Sequence, residues 1–122
     1  MRPTLLIVDD HAGFRSLARR LFTSGGFEVV GEAADGHQAI AAARELRPDV
    51  VLLDIQLPDI DGFEVTARLA DGEAGPVVVL TSTRDRADYG ERVERCGARG
   101  FIPKAELSGT ALRAVVGGER MG

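Results

Sequence analysis

The sequence predicts an α/β fold, with one parallel sheet covered by helices on both faces. Two observations carry that expectation. Five short apolar runs alternate with longer amphipathic stretches along the 122 residues. The runs are near-continuous Val, Leu and Ile rather than alternating, as strands buried on both faces require. No repeat, low-complexity tract or linker interrupts the pattern, so a single domain over residues 1–122 is expected.

Each element follows from local chemistry. Thr4–Val8 forms a first strand that stops at Asp9-Asp10. Phe14, Leu17, Ala18, Leu21 and Phe22 recur at helical spacing, closed by Gly25-Gly26. Phe27–Ala33 is a second strand. Asp35, three residues before Gln38, caps a helix running through Leu46. Pro48 punctuates, and Asp49–Leu53 leads into Asp54. Gly62–Leu69 predicts a shorter helix, ended by Asp71-Gly72 and Gly75-Pro76. Val77–Leu80 runs into Thr81-Ser82-Thr83. Arg84–Cys96 predicts a fourth helix, with Tyr89, Val93 and Cys96 inward and a charged, solvated outer face, stopped by Gly97. Arg99–Pro103 is a fifth strand reaching Lys104. A last helix carries Leu107, Ala111, Leu112, Val115 and Val116 before Gly117-Gly118.

Composition excludes several classes of function. A net charge of −4 leaves no electrostatic footprint for nucleic acid or an anionic membrane. The one cysteine, Cys96, rules out an internal disulfide framework and a multi-Cys zinc site, and fits a reducing, cytoplasmic compartment. The apolar runs are far too short to span a bilayer. Met1-Arg2-Pro3 leads straight into the first strand, without a signal-peptide layout. Of the 15 basic residues, Lys104 alone is lysine, which marks a position where a compact ammonium suits better than a planar fork.

In open α/β sheets, ligands bind beyond the carboxyl ends of the strands, where strand order reverses. Strand one ends at Asp9 and Asp10, strand three at Asp54, strand four at Thr81 and strand five at Lys104. Strand two ends in Ala34 and Asp35, an ordinary start to a helix. With strand two at an edge, one rim collects three carboxylates, a hydroxyl and an ammonium. Crowded carboxylates must protonate or be neutralised by a cation. An all-oxygen donor set suits magnesium, which keeps positions for water or phosphate. His11 is the one histidine near these residues, so zinc is not expected. The hydroxyl and ammonium are donors suited to the oxygens of a phosphoryl group carried on, or bound beside, a carboxylate.

At these positions the chain resembles the receiver domains of bacterial two-component response regulators, over essentially its whole length. The matching motifs are Asp9-Asp10, Asp54 with Leu57-Pro58 and Asp61-Gly62, Leu80-Thr81-Ser82, and Gly100-Phe101-Ile102-Pro103-Lys104. The resemblance implies a flavodoxin-like, doubly wound five-stranded parallel sheet of order 2-1-3-4-5 with five helices. It implies a signalling switch rather than an enzyme, with Asp54 as phosphoacceptor. Asp9, Asp10, Asp54 and the Gln56 backbone carbonyl would bind Mg2+, and Thr81 and Lys104 would contact the phosphoryl group. Phe101 would be the aromatic whose rotamer follows Thr81. Gln56 and Thr83, each two residues past a site residue, would tune the lifetime of the phosphoryl group.

The partners so implied are a sensor histidine kinase or phosphotransfer protein as donor. An effector or output domain would read the face of the fourth helix, fifth strand and fifth helix, with room for a homodimer on activation. The Asp9-Asp10-His11 and Gly97–Phe101 runs are most similar to regulators with a helix-turn-helix output domain; none is expected within this chain. Ala105 follows Lys104 where many receivers carry a cis proline, and Pro103 precedes it.

Plainer readings stand beside these. Asp54 would serve as a loop cap, Asp9-Asp10 as solvated acids opening a helix, and Thr81 as a helix cap. Lys104 would be a snorkelling surface residue, and Phe101 a core aromatic. His11 and His37 read as surface residues, and Cys96 as a small core hydrophobe. A Mg2+-dependent phosphatase with an Asp nucleophile is the alternative function. It would need a general acid where Gln56 stands, and a lid for which there is no length. A flavin or dinucleotide binder would need a glycine-rich first turn, which Asp9-Asp10-His11 does not supply.

Overall fold

The computed structural model describes residues 2–70 and 75–117. Its sheet contains β1 (Thr4–Val8), β2 (Glu28–Ala33), β3 (Val50–Asp54), β4 (Val77–Ser82) and β5 (Gly100–Pro103), in the order β2-β1-β3-β4-β5. Every pairing is parallel. Five helices complete the fold: α1 (Ala12–Ser24), α2 (Gly36–Leu46), α3 (Gly62–Leu69), α4 (Arg92–Arg95) and α5 (Gly109–Val116). The doubly wound α/β expectation holds in both class and strand order.

Strand alternation sorts the core into two layers. Leu6, Val8, Val51, Leu53, Val78 and Leu80 face α2, α3 and α4, where they meet Ala39, Ile40, Phe63, Val65 and Val93. Leu5, Ile7, Val50, Leu52 and Val79 face α1 and α5, where they meet Ala18, Phe22 and Leu112. Both faces of the central strands are therefore covered, which is why their sequences show no polar alternation.

Caps set where the helices begin. Asp35 accepts the Gln38 N–H at 2.8 Å, and the Gln38 side chain reaches back to the Ala34 N–H at 3.0 Å. Asp61 caps α3 through the Glu64 N–H at 2.9 Å, and Ser108 caps α5 through the Ala111 N–H at 2.9 Å. Leu107 therefore lies ahead of α5, after a 3-10 turn at Lys104–Glu106, rather than within the last helix. No cis peptide occurs among the described residues. Phe27 and Asp49 sit just outside their strands. Phe27 is fully buried, and Asp49 accepts the Thr4 N–H at 2.9 Å, tying β1 to the start of β3.

The continuous helix expected over Arg84–Cys96 does not form. A 3-10 turn at Arg86–Asp88 is followed by the four-residue α4. Gly90, at φ +61°, turns the chain into the left-handed region between them and breaks the helical path. Asp88 also folds back to accept the Asp85 N–H at 3.2 Å. Tyr89 and Val93 still face the core, and Cys96 is partly buried against it. The stops expected at Asp71-Gly72 and at Gly118 lie outside the described residues.

Candidate functional site

The carboxyl ends of β1, β3, β4 and β5 share one rim, and its centre lies where β1 and β3 send their chains to opposite faces. Asp9, directly after β1, is fully buried, and Asp54, the last residue of β3, is 4% exposed. The Lys104 ammonium lies between them, 2.5 Å from Asp9 Oδ2 and 3.0 Å from Asp54 Oδ2. It also stands 4.3 Å from the centre of the Phe14 ring, a cation–π contact.

Backbone donors hold the remaining carboxylate oxygens. The Gln56 N–H donates to Asp54 Oδ1 at 3.0 Å, and the His11 N–H donates to Asp9 Oδ1 at 2.8 Å. His11 Nδ1 lies 3.1 Å from Asp9 Oδ1 and 3.0 Å from Asp10 Oδ1. Asp10 and His11 form the open side of the pocket, their side chains 36% and 73% exposed. The tight fit behind Asp54 depends on Gly62. A Cβ there would stand 2.7 Å from the Asp54 carbonyl oxygen and 2.8 Å from Ile55 Cα.

Electrostatics separate the two buried acids. Burial and the adjacent Asp9 carboxyl push Asp54 up to about 6, against its bonds from Gln56 and Lys104. Burial acts on Asp9 in the same direction, but the Lys104 ammonium and the His11 N–H hold it below the usual carboxylate range. Burial would lower Lys104, yet Asp9 and Asp54 hold it above its ordinary value. One ammonium thus offsets only part of the charge that two buried carboxylates can carry, and Asp10 places a third carboxylate at the mouth. The carboxylate oxygens of Asp9 and Asp10 are the hard donors that a divalent cation takes. Asp9, Asp10 and His11 bring three potential ligand atoms within 4.8 Å of one another.

Thr81 stands opposite Asp54 in the β3–β4 register and is fully buried. Its hydroxyl donates to the Ile102 carbonyl at 2.6 Å, so it faces β5 rather than Asp54. A buried hydroxyl must find an acceptor, and the neighbouring strand supplies one. Phe101, next to that carbonyl, is partly buried with its ring 6.0 Å from Tyr89. Gln56 and Thr83 are exposed at the rim.

Three participants carried no motif. Phe14 and Tyr89 fit an inward helical stripe and so read as core, yet Phe14 meets Lys104 and the Tyr89 hydroxyl pairs with Ser82 Oγ at 2.7 Å. Arg15, one of 14 arginines, donates to the Asp9 backbone carbonyl at 2.6 Å. Its i, i+4 spacing with Arg19 was a signal, but the acid they share lies on a different element.

Residues 5–116 match the family model of the response regulator receiver domain. The chain is 36% identical over 120 residues to the response regulator GacA of Pseudomonas aeruginosa, covering 95% of this chain and 56% of that protein. It is 44% identical over 108 residues to protein-glutamate methylesterase/protein-glutamine glutaminase 6 of Anaeromyxobacter dehalogenans, covering 88% and 31%. A crystal structure of a LuxR-family two-component response regulator from Aurantimonas sp. superposes with a TM-score of 0.87 at 30% identity, covering 97% of this chain and 87% of that one. The chain spans about half the length, or less, of the curated relatives it matches.

Proposed function

The chain belongs to the response regulator receiver domain family, and from that premise we propose that Asp54 accepts the phosphoryl group that operates the switch. The observation that carries this reading is the Asp9–Lys104–Asp54 bridge at the sheet's reversal point, in which Asp54, the last residue of β3, shares the Lys104 ammonium with Asp9. In the transfer, an Asp54 carboxylate oxygen forms a bond to phosphorus as the P–N bond to the donor's phosphohistidine breaks. The freed imidazole keeps the electron pair. Such transfer asks the protein chiefly for position and charge stabilisation.

The chain's own groups supply both. The Gln56 N–H fixes one Asp54 oxygen, and Gly62 lets the Asp54 backbone sit close against α3. Lys104 exchanges a carboxylate partner for a phosphoryl oxygen, remaining bonded to charge throughout. Thr81 supplies a hydroxyl once it releases the Ile102 carbonyl. Asp9, Asp10, Asp54 and the Gln56 carbonyl would hold Mg2+, which neutralises phosphoryl charge when bound. Gln56 and Thr83 flank the approach of hydrolytic water, and Phe101 follows Thr81 when it turns.

We assign the domain a regulatory rather than an enzymatic role. Its donor would be a histidine kinase or phosphotransfer protein, and its reader an output domain or effector at the α4, β5 and α5 face, with self-association there on activation. The cytoplasm is the compartment this reading requires. Among the described residues, no helix is long and apolar enough to cross a membrane.

The test is intact mass after incubation with acetyl phosphate. Wild type should gain one phosphoryl group in Mg2+ and none in chelator, and Asp54→Asn should gain none. Uptake by Asp54→Asn, or uptake unaffected by chelator, would overturn the assignment.

A further inference from the structure

The Asp9 carbonyl lies at the point where the β1–β2 ladder runs out. The Asp9 N–H makes the last strand-to-strand bond, to the Ala33 carbonyl at 3.0 Å, before β2 turns away towards α2. Among the described residues, no backbone N–H from a neighbouring strand donates to the Asp9 oxygen. Arg15, one turn into α1, donates to it from Nη1 at 2.6 Å. The same guanidinium is held from behind, its Nε 3.1 Å from Glu32 Oε1, and the other Glu32 oxygen takes Arg19 Nε at 2.7 Å. The Arg15 side chain is 18% exposed, against 45% for Arg19, so Arg15 is the inner member of the cluster.

A peptide group is a rigid plane. Fixing the Asp9 carbonyl oxygen therefore fixes the direction in which the chain delivers Asp10. Asp10 needs such help. Among the described residues its carboxylate has one side-chain partner, the exposed His11 ring at 3.0 Å. Asp9, by contrast, is held by Lys104 and by the His11 N–H. An ordinary exposed Arg–Glu pair would contribute little. Here the second contact of the guanidinium is the backbone of the residue that begins the acid cluster.

We infer that Arg15, braced by Glu32, is a positioning residue for the divalent cation, presenting Asp10 by pinning the Asp9–Asp10 peptide. This rests on the metal reading above. Loss of an outer contact that orients a ligand typically weakens metal binding by about ten- to a hundredfold. Lysine does not reproduce Arg15, because Nη1 and Nε donate from two separate points of a planar group, to the Asp9 carbonyl and to Glu32, whereas an ammonium donates from a single point.

The test is a Mg2+ titration of the chain followed by amide NMR, for wild type, Asp10→Asn, Arg15→Gln, Arg15→Lys and Glu32→Gln. Thermal midpoints in chelator are measured alongside. Arg15→Gln should bind Mg2+ about tenfold more weakly than wild type. Arg15→Lys should fail to restore affinity, and Glu32→Gln should show a smaller loss in the same direction. The midpoints in chelator should stay within about 3 °C of wild type. Wild-type Mg2+ affinity in Arg15→Gln, or full rescue by Arg15→Lys, would overturn the inference. So would a loss of affinity matched by general unfolding of both variants. Failure of the underlying metal reading looks different: wild type would show no Mg2+ response, or Asp10→Asn would bind as wild type does.

Discussion

β3 is buried throughout and β1 from Leu5 onward, and α1 packs Ala18 and Phe22 beside them along 13 residues. Between β4 and β5 the chain instead makes a 3-10 turn and a four-residue helix that buries Val93. The first region places Asp9 and Asp54 from strand ends and anchors their oxygens with backbone donors. The second is fastened by the Ser82–Tyr89 hydroxyl pair and by the Tyr89 ring, 5.7 Å from Phe63 and 6.0 Å from Phe101. Its outer charges pair at the surface, as in Arg86 with Glu94 and Arg95 with Glu91. Such pairs contribute little. Phosphoryl chemistry needs fixed geometry, and a surface that reports it needs few buried contacts to break. Under the function proposed above, the two requirements would fall on different parts of the fold.

The largest expected effect sets two glycines against each other. Gly62→Ala forces a Cβ against the backbone of Asp54 and Ile55 and should cost about 2.5 kcal/mol. The same exchange at Gly90 meets nothing within 4 Å and opposes only the φ of +61°, at about 1 kcal/mol. Denaturant unfolding of both variants measures the pair, and equal costs would break the contrast between the regions.

Next comes Lys104→Ala, which leaves the Asp9 and Asp54 carboxylates facing each other. We expect a loss of about 2 kcal/mol in chelator, less than usual for orphaning a buried partner because Asp54 can take up a proton. Added Mg2+ should restore part of it. Unchanged stability would mean that Lys104 does not hold the acid end together.

Tyr89→Phe removes one hydroxyl and keeps the ring stack, so it should cost about 1 kcal/mol. Its amide shifts should fall between Ser82 and Phe101 and leave Asp9, Asp10 and Asp54 unmoved. Shifts spreading into the acid pocket would show that the two regions are one rigid body.

Arg86→Ala and Arg95→Ala should be nearest to silent, each within about 0.5 kcal/mol of wild type. Larger losses would show that surface pairing, rather than Tyr89 and Val93, fastens the segment.

The sequence by itself determined the sheet, its burial on both faces and the residues at each strand end. Those properties are local: continuous Val, Leu and Ile runs, a cap at Asp35, and polar residues directly after apolar ones. That is why Asp9, Asp54, Thr81 and Lys104 could be named as neighbours before any distance was known. Other features depend on what lies across the fold. The Arg84–Cys96 stretch has helical spacing, but Gly90 and the turn around Asp85–Asp88 divide it. Thr81 could be placed at the rim, but its hydroxyl settles on the Ile102 carbonyl because the adjacent strand offers the nearest acceptor. Arg15 carries no sequence signal beyond its i, i+4 spacing with Arg19. Only the approach of α1 to β2 sets it between Glu32 and the Asp9 carbonyl, since a side chain's hydrogen-bond partner is decided by which backbone comes within reach, and that is a property of packing rather than of spacing.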